Sequence, residues 1–367
     1  MKEFSQLGLK KEIVQALARN GFKQPLEAQE TIVPLALSGK NIVFTSRTGS
    51  GKTLAYLLGY ISKINKKLPC QMLIVVPTRE LAMQVGKVTK KLCEPLDIQV
   101  GMVYGGREIK GDYRTIHKKN HILIGTPGRL IQHINAKRIK VGEVRYIVFD
   151  ESDQMFDHGF YDDCVYLLQR ISKVAQIILS SATLTDLVKD FCDHVICDYE
   201  LLEIGSLIPK NITQEQISVE IPEKNELLLK VLQEQKFSRA IIFCNTKNKC
   251  YDINLFLQEN KLKTVELNSG LTQDERKNNL NLFRQGKKNI LVTTDVSARG
   301  IDIKRVDLVI NYDVPTRYEF YIHRIGRCGR QGKKGYALTF VCSEDKIRFS
   351  EIQEEFDFSA KEIELKE

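Results

Sequence analysis

Short apolar runs punctuate this chain, and between them lie stretches with apolar residues at helical spacing. In the first half the runs cover 41–46, 71–77, 100–105, 122–126, 146–151 and 176–182; in the second they cover 239–246, 264–267, 289–295, 308–313 and 336–342. Runs such as Ile122-Leu-Ile-Gly125 are short and continuously apolar, which suits strands buried on both faces. Buried strands alternating with helices predict an α/β fold of mostly parallel sheets flanked by helices. Between the halves, Glu203-Ile-Gly-Ser-Leu-Ile-Pro-Lys-Asn-Ile212 gathers turn-forming residues. Two domains are therefore expected, 1–205 and 214–367, joined by a linker at 206–213. At 367 residues the chain is long for a single core, which agrees with that division.

Composition narrows the class. No apolar run is long enough to span a membrane, and the N-terminal Met-Lys-Glu-Phe-Ser-Gln lacks the apolar core of a secretory signal. Nine cysteines are scattered without a C-x-x-C pair, which argues against a zinc ribbon or a dithiol site. Buried, inert thiols in a reducing intracellular compartment are expected, with cytoplasm, nucleus and nucleolus left open. The net charge is +9, but residues 343–367 hold four Lys/Arg against nine Asp/Glu, a net of −5. The first 342 residues thus carry +14, which favours a polyanionic partner. On composition alone, a solvated lysine-rich surface is the preferred reading.

The stretch Ser46-Arg-Thr-Gly-Ser-Gly-Lys-Thr53 follows the strand-like run 41–45 and precedes the apolar Leu54-Ala-Tyr-Leu-Leu58. Strand, glycine-rich turn and helix form a cradle for nucleotide phosphates. Gly49 and Gly51 let backbone N–H groups face an anion, and the helix start adds partial positive charge. Ser46, Thr48 and Ser50 complete the loop. Lys52 is placed to reach the outer phosphates, and the Thr53 hydroxyl to bind Mg²⁺. Ser46 stands where the general pattern has glycine. About 100 residues later, Val148-Phe-Asp-Glu-Ser-Asp153 ends another apolar run. An isolated Asp-Glu is usually a solvated turn; behind a phosphate loop it suits a Mg²⁺-dependent ATPase. Asp150 would then hold the metal through water and Glu151 would polarise the attacking water. Upstream, Gln29 can pair with the edge of adenine and Phe4 can stack on the base. Each of these two is, alone, as readily a surface amide or a core ring.

Further motifs join these in one series. Gly21-Phe-Lys-Gln-Pro25 with Gln29, Pro77-Thr-Arg-Glu-Leu81, Gly105-Gly106, Thr126-Pro-Gly-Arg129, Asp150-Glu-Ser-Asp153 and Ser181-Ala-Thr183 resemble, in order and spacing, the DEAD-box RNA helicases of superfamily 2. The second half continues with Ile241-Ile-Phe-Cys-Asn-Thr246, Gln273-Asp-Glu-Arg276, Thr294-Asp-Val-Ser-Ala-Arg-Gly-Ile-Asp302 and His323-Arg-Ile-Gly-Arg-Cys-Gly-Arg330. The resemblance runs from Phe4 to about residue 342. Five positions depart from the family pattern, among them Ala28 in the adenine-recognition motif. Ser152 replaces an alanine in the name-giving box, Ser46 another, Leu26 a threonine and Cys328 a threonine.

The resemblance implies two tandem RecA-like domains that close over ATP and RNA. The first would hold adenine through Phe4, Phe22 and Gln29, and the second would add Gly300 and Asp302 at the nucleotide. Arg327 and Arg330 would meet the γ-phosphate. RNA contacts fall to Thr78, Arg79, Gly106, Thr126, Gly128, Arg129, Thr246, Gly270, Gln273, Arg276 and Thr294. These address backbone and 2′-OH groups, so binding should be largely sequence-independent and RNA-selective. Ser181, Thr183, Asp153 and His323 would couple the ATP and RNA states. The expected activity is RNA-stimulated ATP hydrolysis that unwinds short duplexes or remodels RNA–protein complexes. The protein is expected to act as a monomer, away from membranes, with scope for protein cofactors. An ATP-gated RNA clamp with low turnover and a related DNA helicase are the competing readings. Ribosome assembly and translation initiation remain open as pathways. The acidic stretch 343–367, with Ile347, Ile352, Phe356 and Phe358, is expected to form a terminal helix packed on the second domain.

Overall fold

The computed structural model describes residues 2–46, 50–171, 175–205, 208, 211–298, 306–329 and 334–364. The chain divides into two compact units, Met1–Gly205 and Ser206–Glu367. The first contains strands β1 (Ile42–Ser46), β2 (Met72–Val75), β3 (Val100–Val103), β4 (Ile122–Gly125), β5 (Tyr146–Phe149), β6 (Gln176–Ser181) and β7 (Glu200–Ile204). They form one sheet in the order β3-β4-β2-β5-β6-β1-β7, with every neighbouring pair parallel. The second contains β8 (Ile212–Ser218), β9 (Ala240–Phe243), β10 (Thr264–Leu267), β11 (Ile290–Thr293), β12 (Leu308–Asn311), β13 (Gly335–Val341) and β14 (Lys361–Glu362). Its order is β10-β11-β9-β12-β13-β8-β14, again all parallel.

Each sheet is apolar on both faces, as parallel sheets covered by helices must be. Successive side chains of a strand point to opposite faces. Ile42 and Phe44 accordingly join one apolar cluster with Ile74, Ile124 and Val148, while Val43 joins a second with Leu73, Val75 and Phe149. Unit 2 repeats the device: Ile241, Phe243 and Val309 share one cluster, and Ile242, Val292 and Ile310 the other.

Three strands lie outside the expected runs. β7 alternates between exposed and inward positions, and β8 is mostly polar, with only Ile212 and Ile217 buried. The turn-rich segment expected as a linker over 206–213 therefore gives way to strand at Ile212, and its upstream end, Glu203 and Ile204, belongs to β7. At the C-terminus the helix covers only Lys346–Glu355. Ile347 is 76% exposed, and Phe349 and Ile352 fill the inward positions. The chain reverses at Asp357, whose φ is +48°. Phe358 then stacks on Tyr321 with ring centroids 5.0 Å apart, and β14 adds to the edge of β8. The terminal segment is thus helix, turn and edge strand.

Of the nine cysteines eight are buried and Cys197 is exposed. Burial pushes the thiols of Cys70 and Cys93 up to about 12, so the reactive thiolate is scarce there. In the native protein a thiol reagent such as DTNB should therefore titrate one cysteine rapidly, and Cys197→Ser should abolish that phase. Two or more fast thiols would contradict this burial pattern.

Candidate nucleotide and RNA sites

Because all strands of a sheet run one way, the turns that follow them lie along a single edge, where open α/β sheets bind ligands. In unit 1 that edge carries the phosphate loop after β1, Thr78 after β2, Gly105 and Gly106 after β3, Thr126 after β4, Asp150 after β5 and Thr183 after β6.

The phosphate loop ends at Gly51, whose φ of +87° lies in the left-handed region open to glycine. A side chain there would also collide with Gln29, since an added Cβ would sit 2.3 Å from Nε2. Gln29 is buried and bridges two elements. Its Oε1 accepts from Leu26 N at 2.9 Å, and its Nε2 donates to Gly51 O at 3.2 Å. The adenine-recognition turn is thereby tied to the phosphate loop. Lys52 opens the helix Lys52–Ile61 and is buried, with Nζ donating to Ser46 O at 3.1 Å. Ser46 Oγ and Ser50 Oγ lie 2.8 Å apart and share a hydrogen bond. Thr48 and Gly49 fall outside the described residues.

Phe4 is placed differently from expectation. It is 4% exposed and sits in the apolar cluster of Leu7, Ile13, Ala28 and Ile32, so its ring has almost no face left for a base. Phe22 is only partly buried, and Leu26, beside Gln29, is 50% exposed. These two are the apolar surfaces that remain near the adenine-recognition amide.

Asp150 is buried at the end of β5 and held by two hydroxyls that the motif series did not point to. Tyr56 OH donates to Oδ2 at 2.9 Å, and Ser180 Oγ donates to Oδ1. Tyr56 stands on the same helix as Thr53, one turn further along. The helix that carries Thr53 thus also supplies a phenol donor to Asp150. Burial, followed by the charge of Asp150, pushes that phenol well above its usual range, so it remains a donor. The arrangement fits Mg²⁺: each carboxylate oxygen keeps a lone pair for a metal-bound water. Among the described residues no group of three His, Cys, Asp or Glu could hold a metal. Mg²⁺ held by Thr53 and Asp150 would take most ligands from water and phosphate, as it prefers.

Around the acidic box the hydroxyls are absorbed locally. Ser152 Oγ donates to Ser180 O at 3.2 Å, which accounts for the serine at that position. Asp153 Oδ2 accepts from Thr183 Oγ1 at 3.3 Å, and Ser181 Oγ donates to Thr183 O at 2.7 Å. The acidic box and the hydroxyl motif are thereby one network. Glu151 adopts φ +56°, an unfavourable region for a side-chain-bearing residue of the kind concentrated at functional sites.

The RNA candidates of unit 1 cluster across three turns. Thr78 caps the helix Arg79–Cys93 by accepting from Leu81 N at 3.2 Å. Arg79 NH1 donates to Gly106 O at 3.3 Å, and Gly105 N donates to Thr126 Oγ1 at 3.2 Å. Gly128 lies in the first turn of the helix Pro127–Asn135. Arg129, expected to offer charge to RNA, is instead buried. Its guanidinium is committed to Arg107 O and to Asp112, at 3.5 Å. It braces the turns.

In unit 2, Thr246 caps the helix Lys247–Glu259 after β9, and Gln273 opens the helix Gln273–Arg284. Gly270 N donates to Asn268 Oδ1 at 2.8 Å, while Arg276 NH1 donates to Asn268 O at 3.1 Å and Ser297 Oγ at 3.3 Å. Thr294, after β11, starts the turn that contains Ser297. Arg324, passed over in the sequence, is fully buried. Its Nε and NH2 donate to Asp295 at 2.6 and 2.7 Å, and it also reaches Asp313 O and Asn245 Oδ1. This ties the fifth motif to the sixth. His323 is buried, and Arg327, also buried, donates from Nε to His323 O at 3.2 Å. Gly300, Asp302 and Arg330 lie outside the described residues.

Comparison with known proteins shows the family. Residues 26–191 match the DEAD/DEAH box helicase family, and residues 223–332 match the helicase conserved C-terminal domain. The ATP-dependent RNA helicase CshA of Listeria monocytogenes is 39% identical over 344 residues, covering 93% of this chain and 66% of that protein. The DEAD-box ATP-dependent RNA helicase RhpA of Helicobacter pylori is 35% identical over 367 residues, covering 99% of this chain and 73% of that protein. The chain thus spans 66% and 73% of the length of these two relatives. Among solved structures, S. cerevisiae Dbp5 bound to RNA and ADP BeF3 is similar with a TM-score of 0.89 at 29% identity, covering 99% of this chain and 96% of that one. The two parallel sheets are therefore tandem RecA-like domains, and the chain belongs to the DEAD-box family of ATP-dependent RNA helicases.

Proposed function

We propose that this chain is an RNA-stimulated ATPase that acts as a monomer, opening short RNA duplexes or remodelling RNA–protein complexes. The observation that carries this reading is the buried Asp150, held by Tyr56 from the helix of the phosphate loop and by Ser180, on the same sheet edge as the RNA-facing turns of unit 1. Gln29 and the Gly51 turn would fix adenine relative to the phosphates. Lys52 would exchange its bond to Ser46 O for phosphate oxygens. Thr53 and Asp150 would hold Mg²⁺ largely through water; the ion's contribution is to neutralise phosphate charge. Glu151 would orient the attacking water and accept its proton. Arg327 and Arg330 are assigned to the charge that develops on the transferred phosphoryl group. Backbone N–H groups at Gly106, Thr126 and Gly270, with the Thr78 and Thr246 turns, would grip RNA phosphates and sugars. Support for RNA as the partner comes from the basic first 342 residues and from the RNA named in the solved Dbp5 complex.

Gly51→Ala should lose nucleotide affinity by at least about tenfold in a fluorescent-ATP titration, because the added methyl meets Gln29 and the φ is unfavourable. Unchanged affinity would remove the Gln29–Gly51 bridge from the site. Glu151→Gln should lower RNA-stimulated turnover by roughly 10²–10⁴-fold while ATP still binds. Turnover that survived this change would sink the hydrolysis assignment. DNA of identical sequence should stimulate far less than RNA, and the RNA effect should fall steeply with added salt. Equal stimulation by DNA would favour the DNA-helicase reading.

A further inference from the structure

Three segments of unit 1 carry charge that no motif uses. Segments 63–70, 114–121 and 136–140 hold three Lys/Arg each and no Asp or Glu. Taking these nine from the 55 Lys/Arg leaves 46, which matches the 46 Asp/Glu. The formal net charge of the chain, +9, is thus what these three segments contribute.

Topology brings the segments together. Segment 63–70 leads into β2 and 114–121 into β4, while 136–140 follows the helix Pro127–Asn135, which returns from the far end of β4. β2 and β4 are neighbours, so the segments meet where the strands start, opposite the edge that carries the phosphate loop and the RNA-facing turns. Hydrogen bonds fix that meeting. Cys70 N donates to Asn120 O at 2.7 Å, and Gln71 N donates to His121 O at 2.8 Å. The Lys119 ammonium donates to Lys67 O, and His121 Nε2 lies 3.0 Å from Lys66 O. The buried Gln71 amide donates to Asn65 O at 2.7 Å and Leu68 O at 3.0 Å. The buried Asn120 amide donates to Thr115 O at 2.7 Å and Lys118 O at 3.0 Å. Lys118, Arg138 and Lys140 line one small cavity together with Cys70 and Asn120.

Among the described residues none of the nine cations is in an ion pair. Lys66, Lys67, Lys118, Lys119, Arg138 and Lys140 are exposed. Gathering like charges costs stability through self-repulsion, and an anionic partner offsets that cost. The chemistry of the patch selects the partner. Protein interfaces are depleted in lysine and anchored by aromatic residues, and readers of single strands stack bases on aromatic rings. The three segments contain no Phe, Tyr or Trp. The adjacent Tyr113 ring is already paired with Arg138, whose central guanidinium carbon lies 5.0 Å from the ring centroid. Lysine is a flexible point charge that meets phosphates without a fixed geometry. Many such charges without a stacking surface suit the dense phosphate backbone of a duplex.

We infer that the starting edge of the unit 1 sheet is a second RNA-binding surface, which grips the backbone of a duplex flanking the strand held at the opposite edge. This rests on the RNA-binding reading and adds to it a tether that keeps a structured RNA attached while the opposite edge releases and rebinds its strand.

Two RNAs test the tether: a single strand of about ten nucleotides, and the same strand joined to a hairpin of about 16 base pairs. Their affinities for the full chain are measured by fluorescence anisotropy with a non-hydrolysable ATP analogue. The intact protein should bind the joined RNA roughly tenfold or more tightly than the single strand. The triple variant Lys118→Gln, Arg138→Gln, Lys140→Gln should lose most of that gain. It should bind the single strand as before and keep the ATPase rate at saturating single strand. For the joined RNA, its plot of log affinity against log salt should be shallower by about two to three, since each phosphate contact contributes roughly 0.7–0.9. Lys66→Gln with Lys67→Gln, on another segment, should act in the same direction. Equal affinity of the intact protein for both RNAs, or a gain and salt slope that survive in both variants, overturns the tether; an acidic protein as the true partner would give that result. Equal losses for both RNAs in the variants overturn it too, because the effect would then belong to the strand-binding edge. Failure of the intact protein to bind either RNA would overturn the RNA-binding reading, and the tether with it.

Discussion

Uniform strand direction is the constraint on which the rest of each unit depends. A parallel sheet covered on both faces has no room for solvent chemistry within it. Its polar opportunities lie at the strand ends, where the chain must turn and helices begin with unsatisfied N–H groups. In unit 1, β1, β2, β3, β4, β5 and β6 all end at the same edge. Phosphate loop, acidic box, hydroxyl motif and RNA-facing turns therefore share one origin in topology, although they are scattered over some 135 residues of sequence, from Ser46 to Thr183. Unit 2 obeys the same rule with Thr246, Gly270 and Thr294.

Just inside that edge the structure buries charge, and pairs it. Asp150 has two hydroxyl donors, Arg324 has Asp295, and Asp112 has Arg107, Arg129 and His133. In each case the burial cost makes sense only if partner geometry matters, since removing one partner strands the other in a medium that cannot solvate it. The pairs join turns that are remote in sequence: Asp295 follows β11 and Arg324 belongs to the helix Tyr318–Ile325, while Arg107 and Arg129 follow β3 and β4. A parallel sheet supplies the positions of its edge turns only coarsely. The buried pairs supply the finer alignment.

Much of this was legible in the sequence, for a physical reason. A strand buried on both faces must be a continuous apolar run, so β1, β2, β4, β5, β9, β11 and β12 announce themselves. β7, β8 and β14 do not, because edge positions relax the demand: β8 buries only two residues, and β14 is two residues long. The phosphate loop was legible because its backbone needs glycine. Phe4 misled because an aromatic residue is equally at home in a core, and spacing alone cannot say which side of the chain it faces. Tyr56 carried a usable signal, since it stands three residues after Thr53 on one helix and so shares its face. The pair Ser180-Ser181 carried another, for two successive hydroxyls ending a buried strand put polar atoms on both faces of the sheet. Asp112 and Arg107 carried none, because their meeting depends on a turn that no short pattern specifies.

A motif weighs all its residues alike, and the structure does not. Arg129 and Arg324 both lie within family motifs, yet both are enclosed and committed to buried carboxylates or carbonyls. Their guanidiniums are most useful as fixed, permanently charged forks that hold two turns together, a task for which lysine would be a poor substitute. Arg107 lies outside the motifs and stays partly exposed. The distinction between a residue that braces and one that presents itself is thus set by accessibility and by the number of donors already engaged. It follows that a motif arginine and a non-motif arginine can exchange the roles that sequence would assign them, provided one buried carboxylate sits between them. Asp112 is that carboxylate: it draws Arg129 inward and, with the same charge, holds Arg107 beside Tyr104.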